Sequence, residues 1–302
     1  MLLRRSNRKP KARSQSFTFE AIGTQWVIEV NQPIEHDAAE ALLEKIHARI
    51  AVFDQHYSRF RSDSLISQMA QKTGEYELPA DAQALLDLYA VAYAETNGTV
   101  TPLIGQMLSD AGYDADYSLR SKHLRAVPTW QQALDYQFPR LTVKQPVLLD
   151  FGAAGKGYLV DIISALLHES GVTSYYINAG GDILQHDTAG KVVEIGLENP
   201  DDLAQVVGIA KISNQSLCGS AGNRRAWGKF HHIIDPHKRA SPKHVKAVWV
   251  AAENALLADM LTTCLFFVSP DVLHRNHEFE YAIVYADRSL TYSAHFPAHF
   301  FN

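Results

Sequence analysis

The chain has 302 residues, enough for one large domain with its own core, and 46% of them are hydrophobic and 20% charged. This composition is ordinary for a globular protein, and no apolar run reaches the roughly 18 residues of a membrane-spanning helix. The two cysteines, Cys218 and Cys264, make neither a disulfide framework nor a metal cluster. We therefore expect a cytoplasmic protein with reduced thiols, no membrane span and no nucleic-acid partner.

The formal net charge of -5 is distributed unevenly along the chain. The first thirteen residues, "MLLRRSNRKPKAR", contain six arginines and lysines and no acid. Such an arm suits contact with nucleic acid or anionic lipid, but a solvated tail is the simpler interpretation. It has neither the apolar region nor the small-residue cleavage site of a signal peptide. We predict a disordered basic arm over residues 1–16 and a single domain over residues 17–302.

The first half of the domain is predicted to be mainly helical after an initial strand. Residues 17–30 are rich in aromatic and β-branched types and predict a strand with a break at Gly23. Apolar residues recur at helical spacing over 36–57, and a second helix is predicted over 79–96. The segment 110–146 is polar, contains three prolines and is predicted to be a loop.

The second half of the domain is predicted to be rich in strands. After Pro146 a strand, a glycine loop and a helix follow in that order. Further strands are predicted from 174 onward, interrupted by one helix over 254–268. Because the strands cluster late instead of alternating with helices, the pattern favours an α+β fold in which helices layer on mixed or antiparallel sheets.

The stretch "DFGAAGKGYLVD", Asp150 to Asp161, is typical of a loop that approaches an anion. Gly152, Gly155 and Gly157 let the backbone come close to a ligand, and Lys156 adds a positive charge at the start of the following helix. The stretch matches neither common phosphate-binding motif. A turn between a strand and a helix also favours glycine for geometry alone, so this signal is weak by itself.

Two further stretches combine glycines with polar side chains. "NAGGD", residues 178–182, permits close backbone approach at a strand end, although a tight turn would explain it equally well. "CGSAGNRRAWGKFHHIIDP", residues 218–236, holds paired arginines that suit a phosphate and two histidines that suit proton transfer. Alternation along a strand predicts that His232 and His231 point to opposite sides, with Ile233 on the side of His231.

The stretch "ADMLTTC" places Asp259 and Thr263 four residues apart, on one face of the predicted helix. A carboxylate and a hydroxyl are hard oxygen ligands that suit Mg²⁺, which completes its shell with waters and phosphates. A helix with one polar stripe is the alternative interpretation.

Taken together and in this order, these stretches resemble the ApbE-type FAD:protein FMN transferases, from about Phe17 to the end of the chain. "AIGTQWVIEV" resembles the family's first strand, and "FDQHYSRFRSDSLISQM" its serine- and arginine-containing segment. "DFGAAGKGYLVD", "INAGGDI", "HHIIDP" and "ADMLTT" are similar to D-(L/F)-G-G-x-A-K-G-Y-x-x-D, N-x-G-G-D, H-I-I-D-P and A-D-x-L-x-T. Each match is weak alone, but six matches that follow one another in the same order as in the family are specific.

The resemblance implies a Mg²⁺-dependent enzyme that transfers FMN from FAD to a threonine or serine hydroxyl of an acceptor flavoprotein and releases AMP. It implies Asp259, Thr263 and the backbone carbonyl of Gly155 as metal ligands and His232 as the base. The resemblance and the motifs above together predict a set of FAD-binding residues. These are Ile22, Phe60, Thr99, Val100, Thr101, Gly152, Lys156, Tyr158, Asn178, Gly180, Gly181, Asp182, Ser220, Arg224 and Ile233.

Several positions depart from the family pattern. Val100 and Thr101 stand where the family has phenylalanine and aspartate, Ile22 replaces a methionine, and "GSAGNRR" replaces a T-S-G-(N/D)-Y-R segment. The metal pair and the histidine are kept, whereas the rim that faces the flavin has changed. Three alternatives therefore stay open: an FAD-binding paralogue without transfer, a Mg²⁺-dependent FAD pyrophosphatase, and an accessory interaction protein with an inactive site.

Overall fold

The computed structural model describes residues 13–301. Residues 1–12 of the predicted arm lie outside this range. Residues 13–16, which were also assigned to the arm, instead begin the first strand, because they pair with the end of the second strand, Arg13 opposite Ile34. The edge strand of the domain therefore starts four residues before the predicted boundary.

The described chain contains eight α-helices and sixteen strands. The helices are α1 (His36–Tyr57), α2 (Leu65–Met69), α3 (Ala82–Glu95), α4 (Gly105–Asp110), α5 (Trp130–Ala133), α6 (Gly155–Glu169), α7 (Ala255–Cys264) and α8 (Pro270–Leu273). The strands are β1 (Arg13–Ala21), β2 (Thr24–Ile34), β3 (Gly74–Glu77), β4 (Leu134–Gln137), β5 (Arg140–Val143), β6 (Ser174–Ala179), β7 (Asp182–Asp187), β8 (Val193–Asn199), β9 (Asp202–Ile212), β10 (Gln215–Ala221), β11 (Ala226–Trp227), β12 (Phe230–His231), β13 (Val245–Ala252), β14 (Glu280–Tyr285), β15 (Leu290–Tyr292) and β16 (Ala298–Phe300).

An eight-stranded antiparallel sheet is the centre of the molecule. Its strands run in the order β1-β2-β6-β7-β10-β13-β14-β15. Strand β6 shows how the sequence shapes it, since Tyr175, Ile177 and Ala179 alternate inward to the main core while Tyr176 faces the other side. All strand pairs described are antiparallel. The predicted α+β fold is confirmed.

Helices cover one face of this sheet and a small sheet covers the other. Helix α6 packs on β6 and β7, α7 packs on β10 and β13, and the two helices pack against each other. The three-stranded sheet β16-β9-β8 closes a second core on the opposite face, around Leu197, Ile212 and Phe296. The result is a three-layer arrangement that brings the beginnings of α6 and α7 together above the sheet.

The helix predictions hold, whereas the loop prediction for 110–146 was wrong in part. Helix α1 has the predicted bounds, because its buried stripe repeats at helical spacing. In the supposed loop, α5, β4 and β5 form, and the two strands join β3 in a small antiparallel sheet. These strands have four residues each and only a few apolar ones, chiefly Leu134, Leu141 and Val143, so no periodic signal marks them.

None of the helices in the described range is long and apolar enough to cross a membrane.

Candidate active site

A cavity of about 330 Å³ opens where the ends of several elements meet. Its walls come from the β1–β2 turn, the loop after α1, the loop before α4, the start of α6, the end of β10, the segment after β12, and α7. One part of the cavity is lined by charged and polar side chains, among them Lys156, His232, Asp259 and Thr263, and is called the polar end. The other part is lined by the rings of Phe60, Tyr113 and Tyr117 and is called the aromatic end.

The packing of α6 against α7 determines the geometry of the polar end. Asp259 is buried on α7, and its Oδ2 accepts a hydrogen bond from the amide of Gly157 on α6 at 3.0 Å. A Cβ on Gly157 would lie 2.1 Å from the carbonyl oxygen of Ala255, so only glycine lets the two helices approach this closely. Thr263 lies one turn after Asp259 and also lines the cavity. The structure therefore confirms that the predicted i, i+4 pair shares one face.

Asp161 fixes the start of the helix that carries this pair. Its two carboxylate oxygens accept hydrogen bonds from the amides of Ala255 and Leu256 at 2.9 and 2.7 Å. Asn254 caps the same helix by accepting from the amide of Leu257 at 2.8 Å. Burial raises the pKa of Asp161 to about 6, although both amide hydrogen bonds lower it. The position of Asp259 is thus set by α6 through two separate contacts.

A second buried carboxylate lies beside Asp259. Asp182 is fully buried, forms an ion pair with Lys156 through Oδ2, and has no hydrogen-bond partner for Oδ1 within the described chain. Burial, and then the charge of Asp182, raises the pKa of Asp259 to about 7. Burial lowers the pKa of Lys156, but the charges of Asp182 and Asp259 outweigh this effect and raise it overall. The polar end is therefore a crowded anionic centre with one internal cation.

His232 presents a neutral imidazole to the same cavity. Its Nδ1 is buried without a hydrogen-bond partner in the described chain, and its backbone amide bonds to the carbonyl of Arg225 at 3.1 Å. Burial, followed by the positive charge of Arg225, lowers the pKa of His232 to about 3. The ring is consequently uncharged at neutral pH, which is the form that can accept a proton.

The strand alternation predicted for this segment is wrong. The strand ends at His231, and Ile233 donates its amide to the Nδ1 of His231 at 3.3 Å, so the backbone turns. As a result both His232 and Ile233 line the cavity. His231 instead binds the carbonyl of Pro242 at 2.9 Å and has a structural role.

Most amides of the glycine loop bond within the protein and do not serve the cavity. The amide of Gly152 donates to Asp150 Oδ1 at 2.8 Å, and that of Ala153 donates to the Tyr89 hydroxyl at 3.2 Å. The amide of Gly155 donates to the carbonyl of Phe151 at 2.7 Å. Together with the Gly157–Asp259 bond, these contacts use the loop's donors internally. The loop serves as a wall of the cavity rather than as an amide cradle for phosphate.

Three rings in mutual contact form the aromatic end. The ring centroid of Phe60 lies 5.5 Å from that of Tyr113 and 5.4 Å from that of Tyr117. The guanidinium of Arg59 lies over Phe60 and Tyr113 at 4.2 and 4.8 Å and forms an ion pair with Asp150. Ile22, at the β1–β2 turn, completes this end with an unusual backbone φ of 43°.

The structure brings most of the predicted residues to the cavity wall. Those that line it are Ile22, Phe60, Thr99, Val100, Thr101, Gly152, Gly155, Lys156, Gly180, Ser220, Arg224, His232, Ile233, Asp259 and Thr263. Four others lie outside the wall: Tyr158, Asn178, Gly181 and Asp182. The Tyr158 hydroxyl donates to the carbonyl of Asp81, and Asn178 accepts from the amide of Gly181 in the β6–β7 turn at 2.9 Å.

Sequence reasoning missed Arg59, Asp150, Tyr113 and Tyr117 as lining residues, and of the paired arginines it assigned only Arg224 to the site, whereas Arg225 also lines the cavity. Tyr113 and Tyr117 lie in the segment predicted to be loop, where a pattern-based search gives them no weight. Asp150 and Arg59 were both inside quoted motifs, and their opposite charges were the available signal for a buried pair.

The fold and the cavity define a layered α+β protein with a cavity where its packed helices begin. The model of the ApbE family matches residues 22–282, and the chain belongs to this family. The FAD:protein FMN transferase of Klebsiella pneumoniae (strain 342) is 24% identical over 280 residues, covering 83% of this chain and 78% of that protein. The protein of the same name from Escherichia coli (strain K12) is 23% identical with the same coverage.

Solved structures with the same fold include two members of the family. The flavin transferase ApbE from Vibrio cholerae has a TM-score of 0.77 and 18% identity, covering 94% of this chain and 98% of that one. The ApbE protein from Thermotoga maritima has a TM-score of 0.79 and 20% identity, covering 93% and 97%. At these identities the comparison establishes the shared fold.

Proposed function

We propose that this protein transfers FMN from FAD to a threonine or serine hydroxyl of an acceptor flavoprotein, with Mg²⁺, and releases AMP. The names of the relatives support an FAD:protein FMN transferase. The observation that carries the proposal is the buried Nδ1 of His232, which has no hydrogen-bond partner among residues 13–301 and lies at a cavity that Asp259 and Thr263 also line. A buried polar atom without a partner is costly, and a ligand that satisfies it explains why it persists.

The residues at the polar end fit a divalent cation. Asp259 lines the cavity as a carboxylate whose charge burial disfavours, and Asp182, behind the wall, adds a second carboxylate whose Oδ1 has no partner among residues 13–301. Among residues 13–301 no group of three or more His, Cys, Asp or Glu side chains is arranged to hold a metal. Mg²⁺ with two side-chain ligands, one carbonyl, water and phosphate fits this set. We propose Asp259, Thr263 and the Gly155 carbonyl as these ligands.

When bound, Mg²⁺ would neutralise charge on the FAD diphosphate and orient it for in-line attack. Lys156, held by Asp182, adds a further positive charge on the same wall. This ion pair fixes the direction of the amine, so the charge is placed before the substrate arrives. Such preorganisation lowers the cost of developing charge in the transition state.

His232 is proposed to take the proton of the acceptor hydroxyl. The hydroxyl oxygen would form a bond to the phosphorus of the FMN half, and the bond from that phosphorus to the bridging oxygen would break. The electron pair would leave with the AMP phosphate. An anionic diphosphate near His232 opposes the lowering of its pKa by burial and makes the ring a stronger base in the complex.

The changed rim keeps a second outcome in view, namely FAD binding without transfer. Val100 is buried in the core, and the Thr101 hydroxyl accepts from the amide of Leu103 at 3.2 Å to cap the following turn. Thr101 is thus a capping residue in this chain, where the resemblance expects a carboxylate. The absence of a carboxylate at position 101 removes one polar contact from the part of the cavity expected to face the flavin. It leaves the residues of the polar end unchanged.

The direct test is one incubation of the protein with FAD, Mg²⁺ and a flavoprotein fragment that carries the family's acceptor motif, followed by mass spectrometry of the fragment. We expect a mass gain equal to esterified FMN, which EDTA abolishes. An unchanged fragment with intact, bound FAD would support a binding protein. An unchanged fragment with free FMN and AMP would support a pyrophosphatase. An unchanged fragment without flavin binding would leave only an interaction role.

A further inference from the structure

Tyr117 is half exposed at the aromatic end, and neither the motifs nor the resemblance assigns it a role. Its side chain has 49% of its surface exposed, it lines the cavity, and its ring lies almost parallel to that of Phe60, with 9° between the planes. Tyr113 meets the same ring edge-on, with its centroid 5.4 Å away. A single exposed aromatic side chain needs no explanation, but a contiguous cluster of rings at a cavity often marks a ligand-binding groove.

The backbone at Tyr117 is strained. Its φ of 49° lies in the left-handed region, which bulky L-residues seldom adopt. The conformation is imposed by a turn that Asp114 closes, accepting from the amide and hydroxyl of Ser118 at 2.8 and 2.6 Å. Strain that the surrounding structure enforces tends to lie at ligand sites. Here it directs an aromatic ring toward the cavity instead of away from it.

A second residue with a left-handed backbone lies close to Tyr117 in the cavity wall. Ile22, with a φ of 43°, lies in the two-residue turn between β1 and β2. A Cβ on the adjacent Gly23 would lie 3.5 Å from the hydroxyl oxygen of Tyr117, so Tyr117 reaches this turn. Two neighbouring loops of the cavity wall are therefore held in unfavourable backbone conformations where they meet, at Ile22 and at Tyr117.

We propose that Tyr117 stacks on a planar ring of the bound nucleotide and determines affinity for it. The inference rests on the proposed function, which supplies a ligand with two such rings, flavin and adenine. A flat aromatic system gains contact with Tyr117 and with the Phe60 and Tyr113 cluster behind it. The polar end then receives the diphosphate. Flavin and adenine are both flat heteroaromatic rings, and comparing the binding of riboflavin with that of AMP distinguishes between them.

The experiment measures equilibrium binding of FAD, riboflavin and AMP to the wild type and to three variants. Tyr117→Ala removes the ring, and Tyr117→Phe keeps it. Leu119→Ala is the matched control, because Leu119 is 50% exposed, has a φ of 54° in the same loop, and does not line the cavity. Neither position is in the core, and thermal unfolding of each variant confirms the fold. The emission of bound flavin reports stacking directly.

We expect Tyr117→Ala to weaken FAD binding by about tenfold, while Tyr117→Phe and Leu119→Ala stay within about threefold of wild type. If flavin is the stacked ring, riboflavin binding falls in parallel and bound flavin becomes brighter. If adenine is the stacked ring, AMP binding falls instead. Wild-type affinity of Tyr117→Ala for all three ligands would overturn the stacking role alone. Failure of the wild-type protein to bind FAD would contradict the proposed function and this role together.

Discussion

At the scale of single residues, the site depends on groups that the fold leaves without partners. His232 Nδ1 and Asp182 Oδ1 are buried next to charged or polar neighbours that do not bond to them. Each such atom lowers the stability of the ligand-free protein by about 1–3 kcal/mol. We propose that the acceptor hydroxyl supplies the missing partner of His232 Nδ1 in the complex, so that binding of the acceptor recovers part of this cost.

Replacing His232 tests the proposed base. We expect His232→Gln to reduce the single-turnover rate of FMN transfer by about 10²–10⁴-fold while FAD binding changes little. The reason is that the ring acts on the hydroxyl proton and not on the nucleotide. His231→Gln is the neighbouring control and should mainly lower stability, since His231 binds the Pro242 carbonyl. Equal rates for wild type and His232→Gln would remove the residue from the mechanism.

The low pKa of His232, about 3, also predicts how stability depends on pH. The unfolded residue titrates near its ordinary pKa of about 6.5, so below that pH the unfolded state binds the extra proton. Stability is lost as the pH falls from about 6.5 toward 3, by up to about 1.4 kcal/mol per pH unit from this group. Urea unfolding at pH 7 and pH 5 should show a smaller loss for His232→Gln than for wild type. Parallel losses would show that His232 titrates normally in the folded protein.

At the scale of elements, the contact between α6 and α7 determines the geometry of the site. Gly157 permits the close approach, its amide binds Asp259, and Asp161 holds the first turn of α7. Each of these groups belongs to the glycine-rich stretch that resembles an anion-binding loop. Its glycines and acids serve helix packing and the orientation of Asp259, and this explains why the stretch matches neither phosphate-binding motif.

Two glycine substitutions on α6 separate packing from chemistry. Gly157→Ala places a methyl 2.1 Å from the Ala255 carbonyl, and we expect it to cost about 1–3 kcal/mol and to abolish transfer by displacing Asp259. Gly155→Ala is the matched control in the same turn, because it keeps the backbone carbonyl proposed as a ligand and its Cβ would meet only the Phe151 Cβ at 3.6 Å, with an ordinary φ. Denaturant unfolding and transfer assays on both variants provide the comparison. A well-folded, active Gly157→Ala would refute the close-packing account.

The exchange of Asp161 for Asn tests the anchor of α7 separately. The variant keeps one acceptor oxygen but loses the charge that faces two helix amides. We expect a loss of about 1–2 kcal/mol in stability and weaker Mg²⁺ binding, measured by denaturant unfolding and by the Mg²⁺ concentration for half-maximal transfer. Unchanged values for both would mean that the Asn254 cap alone positions Asp259.

At the scale of the whole molecule, the long elements and the Asp259–Thr263 face could be predicted from sequence, whereas the contacts that complete the two ends of the cavity could not. Helix α1 and the Asp259–Thr263 face follow from helical periodicity, which is a local signal. The Asp182–Lys156 pair joins residues 26 positions apart, and the Phe60–Tyr117 stack joins a loop after α1 to a segment without periodicity. Such contacts depend on tertiary packing. Strands β4 and β5 could not be predicted either, because four residues are too few to show a periodic pattern and their pairing is set by tertiary packing.

The central claim is tested most directly by the ratio of AMP released to acceptor molecules labelled, measured in one reaction with FAD and Mg²⁺. A transferase gives one AMP for each FMN ester on the acceptor, in wild type and at a reduced rate in His232→Gln. Asp259→Asn should give neither product, because the proposed metal site is lost. AMP in excess over labelled acceptor, or labelled acceptor at the wild-type rate with Asp259→Asn, would contradict the account.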